Sequence, residues 1–318
     1  MVTDRANAVC LLEILLEYSD DEHILPMREI IAKMNAEYGI KPDRRTIYSA
    51  AGLLNSIGYD ISMYDENSVG YFLRGREFDP SEVLLLTDAV CSFPFVPAKQ
   101  SDELIEKLQT LVPAPCRRKF RHLNIARLDI KTDNRDVFYN ISVLDDAITQ
   151  KKKIQFTYLK YGLDKKLHPR RERPYIVNPY GMVYANEHYY LICNLTEHPD
   201  ISLYRIDYIK DIAISEETLD ERNDSLNAAK NAVYAYTGRP ERITMRCDNE
   251  ILGDVLSKFG TDVFLRKIDE NSFSASFIAS PGGVKYWALQ YVTSAEVTAP
   301  ESLRNEIMQS IKSNRYDV

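Results

Sequence analysis

An arginine and a carboxylate stand two residues apart in "LYRIDYI", residues 203–209, an arrangement able to hold an anion. Arg205 supplies a planar fork of N–H donors that fits a phosphate, and Asp207 can hold that fork in place while it is empty. Side chains alternate along a strand, so Arg205 and Asp207 are predicted on one face and Tyr204, Ile206 and Tyr208 on the other. The same pair on a surface strand is an ordinary ion pair. Upstream, "EHYYLICN" adds Tyr189 and Tyr190, and "KIQFTYLKYG" adds Tyr158, rings on which a base can stack. Between Lys151 and Arg173 the bases far outnumber Asp164 and Glu172, and His168, Arg170 and Arg171 form a loop able to close over phosphates. In a chain of net charge −7 this is the strongest local charge signal.

Other reactive residues read as structure. His188 and Cys193 are separated by an odd number, so a regular strand turns them to opposite faces, and Cys193 in "LICN" reads as a core thiol. "SPGGVKYW" lacks the Lys and Ser or Thr of a phosphate-binding loop and reads as a turn. No Ser-His-Asp order, paired-carboxylate spacing or H-E-x-x-H is present, so neither an enzyme nor a metal or other cofactor is expected. The five cysteines are scattered without a C-x-x-C pair, which fits reduced thiols in a cytoplasmic protein. With 45% hydrophobic and 27% charged residues and no long apolar run, the 318-residue chain reads as soluble, without membrane association, and as two or three domains.

The elements that must position these residues follow from periodicity and caps. Residues 5–18 form a helix with Val9, Leu12 and Leu16 on one stripe, and a second helix buries Ile30, Ile31 and Met34 and ends at Gly39. Asp43 caps "RRTIYSAAGLLNSIG", whose Ile47, Leu54 and Ile57 form its core stripe. "YDISMYDENSVGYFL" reads as two strands around the turn "DENS". That order is a winged helix-turn-helix over 1–78, whose third helix enters the major groove of duplex DNA. Arg44, Arg45, Thr46, Tyr48, Ser49 and Asn55 are its candidate DNA contacts. Residues 79–136 are a helical connector, with a helix opened by Ser101, leading into the basic stretch "CRRKFRHLNIARLDIK". Residues 137–218 read as a helix and short strands of a small barrel or curled sheet. Residues 239–318 follow the β-α-β-β-α-β order of a ferredoxin-like domain, with a final helix. The fold class is α+β.

"HYYLICN…LYRIDYI" resembles the signature of the WYL domain, in which Trp-Tyr-Leu precedes an arginine-bearing strand. Here those positions are Tyr189-Tyr190-Leu191 and Arg205-Ile206-Asp207-Tyr208, and Pro179, Gly181 and Tyr184 are similar to the family's lead-in. Tyr189 replaces the tryptophan, Tyr208 the second arginine, and Ser49-Ala50 the usual Arg-Asp of the recognition helix. The resemblance implies a bacterial transcriptional regulator with a winged helix-turn-helix, an Sm-like β-barrel and a WCX extension. It implies a homodimer that binds duplex DNA and senses a single-stranded nucleic acid or nucleotide. The alternative is an interaction or RNA-binding accessory module, whose barrel takes a protein partner or single-stranded RNA.

Overall fold

The structure is a computed structural model that describes residues 4–117, 120, 131–195, 197, 198, 200–220, 236, 239–313 and 315. Most of the basic stretch after Cys116 lies outside the described residues. The chain divides into two compact units, Met1–Asp133 and Asn134–Val318.

The first unit opens with three helices, α1 (Asp4–Tyr18), α2 (Met27–Tyr38) and α3 (Arg44–Ser56). Asp43 caps α3 by accepting from the Thr46 backbone N–H at 2.7 Å, and Gly39 ends α2 in the left-handed region at φ 68°. Their shared core is Leu11, Ile14, Leu15, Ile30, Met34, Ile47, Ala51 and Leu54. Two expected stripe residues lie elsewhere. Val9 is 59% exposed because α1 buries the neighbouring stripe through Leu11, Ile14 and Leu15. Ile57 is 65% exposed because α3 has ended at Ser56 and no longer carries the helical phase. The wing has strands of only two residues, β1 (Ile61–Ser62) and β2 (Phe72–Leu73). The expected turn "DENS" is largely a short helix, α4 (Tyr64–Asn67). Helices α5 (Pro80–Ser92), α6 (Ala98–Gln109) and α7 (Ala114–Arg117) follow. α6 starts before Ser101, which is buried inside it and whose hydroxyl accepts from Lys131 Nζ at 2.9 Å.

The second unit begins with α8 (Val137–Thr149) and strands β3 (Lys152–Tyr161), β4 (Leu167–Pro169), β5 (Tyr175–Ala185), β6 (His188–Leu195), β7 (Ser202–Arg205) and β8 (Ile209–Thr218). All pairings are antiparallel: β8 with β3, β3 with β5, β5 with β6 and β6 with β7, while β4 extends β3. β7 and β8, on opposite sides of that series, are joined only by the 3-10 turn Ile206–Tyr208. So short a link obliges the sheet to roll until the end of β7 and the start of β8 lie near each other, which gives the barrel-like curl. Phe156, Val177, Leu191, Cys193, Ile206 and Ile209 fill the roll, and α8 adds Leu144 and Ala147. Cys193 is fully buried, and burial pushes its thiol pKa up, as a core thiol requires.

After residue 239 come β9 (Glu241–Asp248), the helix Leu252–Phe259, β10 (Phe264–Lys267), β11 (Ser272–Ala279), the helix Pro281–Gln290, β12 (Ala295–Ala299) and the helix Glu301–Lys312. The sheet order β10-β11-β9-β12 is that of the expected ferredoxin-like sandwich. Its core gathers around Trp287, Val255, Val284 and Met245. "SPGG" is not a turn: Ser280 precedes the helix and Pro281 opens its first turn. Among the described residues no helix is long and apolar enough to cross a membrane.

Candidate functional site

The seam of the curled sheet is the best-defined candidate site. Strand β7 ends at Arg205, and the next three residues turn in a 3-10 helix rather than continuing as strand. This overturns the simple alternation expected for "LYRIDYI". Ile206 points into the core, Asp207 is 1% exposed, and Tyr208 comes round to the Arg205 side. The turn is pinned from outside itself. Asn134 Nδ2 donates to the carbonyls of Asp207 (2.8 Å) and Ile209 (2.9 Å), and Asn140 Nδ2 donates to Ile209 O at 2.8 Å.

Arg205 is held on three sides. Its Nε and Nη2 donate to the two oxygens of Asp207 at 3.1 and 2.6 Å, and its guanidinium lies 4.1 Å from the Tyr208 ring centroid. Its backbone N–H donates to Tyr158 Oη at 3.2 Å. Burial disfavours the guanidinium charge, but Asp207 outweighs it and the pKa is raised. The Nη1 end makes no bond among the described residues. Tyr190 pairs with Arg205 across β6 and β7. His188 lies two residues before Tyr190, on the same side of β6, where the register would oppose it to Asp207. Burial first, and then the Arg205 charge, hold the His188 pKa below its ordinary value, against the pull of Asp207 and Glu187.

The remaining sequence candidates divide between this group and its surroundings. Tyr158 touches the rings of both Tyr175 and Tyr208, each at 6.1 Å between centroids. Arg171 lies 3.6 Å from the Tyr175 ring centroid, so an arginine sits on a ring at each end of that contact chain. Arg171 is otherwise committed to the carbonyls of Arg173 and Pro174, and it borders a groove of about 570 Å³ with Arg173, Ile176 and Glu217. Arg170 bonds through its backbone N–H to Tyr158 O at 2.8 Å. His168 is paired with Asp164 at 2.9 Å on the exposed β3–β4 hairpin. Tyr189 faces the other way from Tyr190 and packs against the barrel core. Sequence reasoning set His188 aside with Cys193. Its shared face with Tyr190 follows from strand alternation, but its nearness to the Arg205 pair needs the register of β6 with β7.

On α3, Arg44, Arg45, Tyr48 and Ser49 are exposed, and Arg45, Thr46, Ser49 and Leu53 line a shallow depression. Bonds to Thr46 and the Arg45 charge keep the Asp43 carboxyl below its usual range. Thr46 also donates its hydroxyl to Asp43 at 2.8 Å, so that hydroxyl serves the cap. Asn55 serves the wing: its amide donates to Ile61 O at 3.1 Å and accepts from Ile61 N at 2.8 Å. Tyr48 sets its ring edge-on to Tyr71 at 6.0 Å.

The family model of the WYL domain matches residues 139–214, which cover most of α8, the curled sheet through most of β8, and the Arg205 group. No curated protein matches the chain. Among solved structures, proteasome accessory factor B/C (PafBC) of Arthrobacter aurescens is similar at 12% identity and a TM-score of 0.28. That match covers 98% of this chain and 48% of the other, so the chain spans about half of PafBC's length. A CRISPR Cas-related protein is similar at 14% identity and a TM-score of 0.38, with 98% of this chain and 79% of that one covered.

Proposed function

We propose, from a chain that carries a WYL domain at residues 139–214, that it is a transcriptional regulator rather than an enzyme. It binds duplex DNA through α3, and its WYL domain senses a single-stranded nucleic acid or a nucleotide at Arg205. The observation that supports this reading best is the state of Arg205. The cation is partly sheltered, oriented by a buried carboxylate, bordered by Tyr190 and Tyr208, and left with one end of its fork open. It is also the strand residue from which the turn joining β7 to β8 starts. A phosphate drawing on Arg205 competes with Asp207 for the guanidinium and so bears directly on that turn.

The DNA half of the reading rests on the exposed, basic amino end of α3, where Arg44 and Arg45 are available for phosphates. In the wing, by contrast, Arg74 is already paired with Asp60 and Glu66. DNA contact is therefore assigned to the helix rather than the wing. A homodimer supplies the second half-site, and Leu85, 71% exposed on α5 beside Leu84 and Leu86, marks a face available to a second copy.

The test is DNA binding at graded salt, on duplexes selected from a random pool. Replacing both Arg44 and Arg45 with alanine is expected to weaken binding and to lower the slope of log K against log salt by roughly 0.9 per lost phosphate contact. A double variant with the parent's affinity and slope removes α3 from the interface.

A further inference from the structure

The imidazole of His188 has two nitrogens in different situations. Nδ1 is buried and has no hydrogen-bond partner among the described residues, whereas Nε2 is not so placed. A buried N–H with no acceptor is among the rarest features of folded proteins, and an under-used acceptor is better tolerated. The neutral ring therefore keeps its proton on Nε2. Adding a second proton would put an unsatisfied N–H in the buried position, beside the positive charge of Arg205. The direction of the His188 pKa agrees with this.

Its surroundings define what that proton can serve. His188 and Tyr190 are i and i+2 on β6, their rings meet edge-on at 6.3 Å, and Tyr190 is the cross-strand partner of Arg205. The Asp207 carboxylate accepts from Arg205 through both oxygens, and among the described residues His188 donates to neither. A donor next to an incompletely used arginine fork fits an oxygen-rich anion that touches both.

We propose that His188 is a specificity-determining residue of the Arg205 site, a neutral donor that gives its Nε2–H to a phosphate oxygen of the ligand. This rests on the ligand-sensing reading of Arg205 and adds a residue and a hydrogen-bond polarity to it. Lysine or arginine at this position would add a second positive charge to the site. A neutral imidazole adds one directed bond and leaves the charge of the site unchanged.

The two amide side chains separate the ring nitrogens, because glutamine places its N–H₂ near the position of Nε2 and asparagine near that of Nδ1. The full chain is titrated with a short single-stranded oligonucleotide bearing a terminal phosphate and with the same oligonucleotide lacking it. His188→Gln is expected to bind within about twofold of the parent. His188→Asn and His188→Ala are expected to lose about tenfold or more, the effect of one bond to a charged group. Nitrogen-15 shifts of the histidines in the parent give an independent reading, with His188 expected as the Nε2–H tautomer before and after ligand. Parental affinity in all three variants, or retention by asparagine and loss by glutamine, overturns the proposal. So does a His188 found protonated or carrying its proton on Nδ1. A parent that binds neither oligonucleotide overturns the ligand reading of Arg205 itself, and that outcome is distinct from the others.

Discussion

Arg205 and Asp207 form a pair in which the two partners are unequally buried, and that inequality determines what mutation does. Asp207 is 1% exposed, so removing Arg205 leaves a largely buried carboxylate without its ion-pair partner. Breaking a fully buried pair costs about 3–5 kcal/mol. Arg205 keeps about a quarter of its side chain exposed, and water entering its place lowers the expected loss for Arg205→Ala to roughly 2–3 kcal/mol. Adding Asp207→Asn is expected to recover more than half of that loss, since the buried charge goes too. Urea unfolding of the single and double variants measures both. His188 gives a pH dependence with a definite sign. Its folded pKa lies below the unfolded value, lowered first by burial and then by the Arg205 charge, with Asp207 and Glu187 opposing. The unfolded chain therefore takes up a proton first as pH falls, so stability is lost on acidification through about 6.5 and below. His188→Gln is expected to flatten that part of the curve. An unchanged curve places the imidazole in water.

Elements show where sequence patterns suffice and where they fail. The cap at Asp43, the C-terminal Gly39 and the stripe of Ile47 and Leu54 were legible because each is a local requirement of one helix. The phase of α1 was not, because "AVCLLEILL" is apolar nearly all round and its 3.6 period admits more than one buried stripe. Tyr208 was misplaced for a different reason. "LYRIDYI" alternates well, and the 3-10 turn that breaks the alternation comes from the need to join opposite sheet edges, a constraint no local window contains. Glycines make the same contrast measurable. A Cβ at Gly52 meets open space on the exposed side of α3, so Gly52→Ala is expected to stabilise by about 1 kcal/mol through helix propensity. A Cβ at Gly70 falls 2.1 Å from the Leu25 carbonyl oxygen, where the wing crosses the start of α2. Gly70→Ala is expected to destabilise and to disturb the Leu25–Tyr71 bridge. Thermal melts of the two variants should move in opposite directions.

For the whole molecule, the division at Asp133 and Asn134 separates the winged helix from the WYL and ferredoxin-like parts. Each unit has its own core, so fragments 1–133 and 134–318 are expected to fold separately and show their own cooperative melts. The DNA function is then expected to stay with the first fragment and oligonucleotide binding with the second. The proposed switch requires a coupling free energy between the two binding events in the intact chain, and such a coupling is reciprocal. The direct test measures operator affinity of the full chain with and without saturating oligonucleotide, in the parent and in Arg205→Lys. Lysine keeps a cation beside Asp207 but lacks the planar fork. Ligand is expected to change the parent's operator affinity by about 5–150-fold, the usual range of allosteric coupling. In Arg205→Lys that change should vanish while unliganded DNA affinity stays at the parental value. Ligand that binds the parent without altering operator affinity, or equal coupling in the lysine variant, contradicts a ligand switch centred on Arg205.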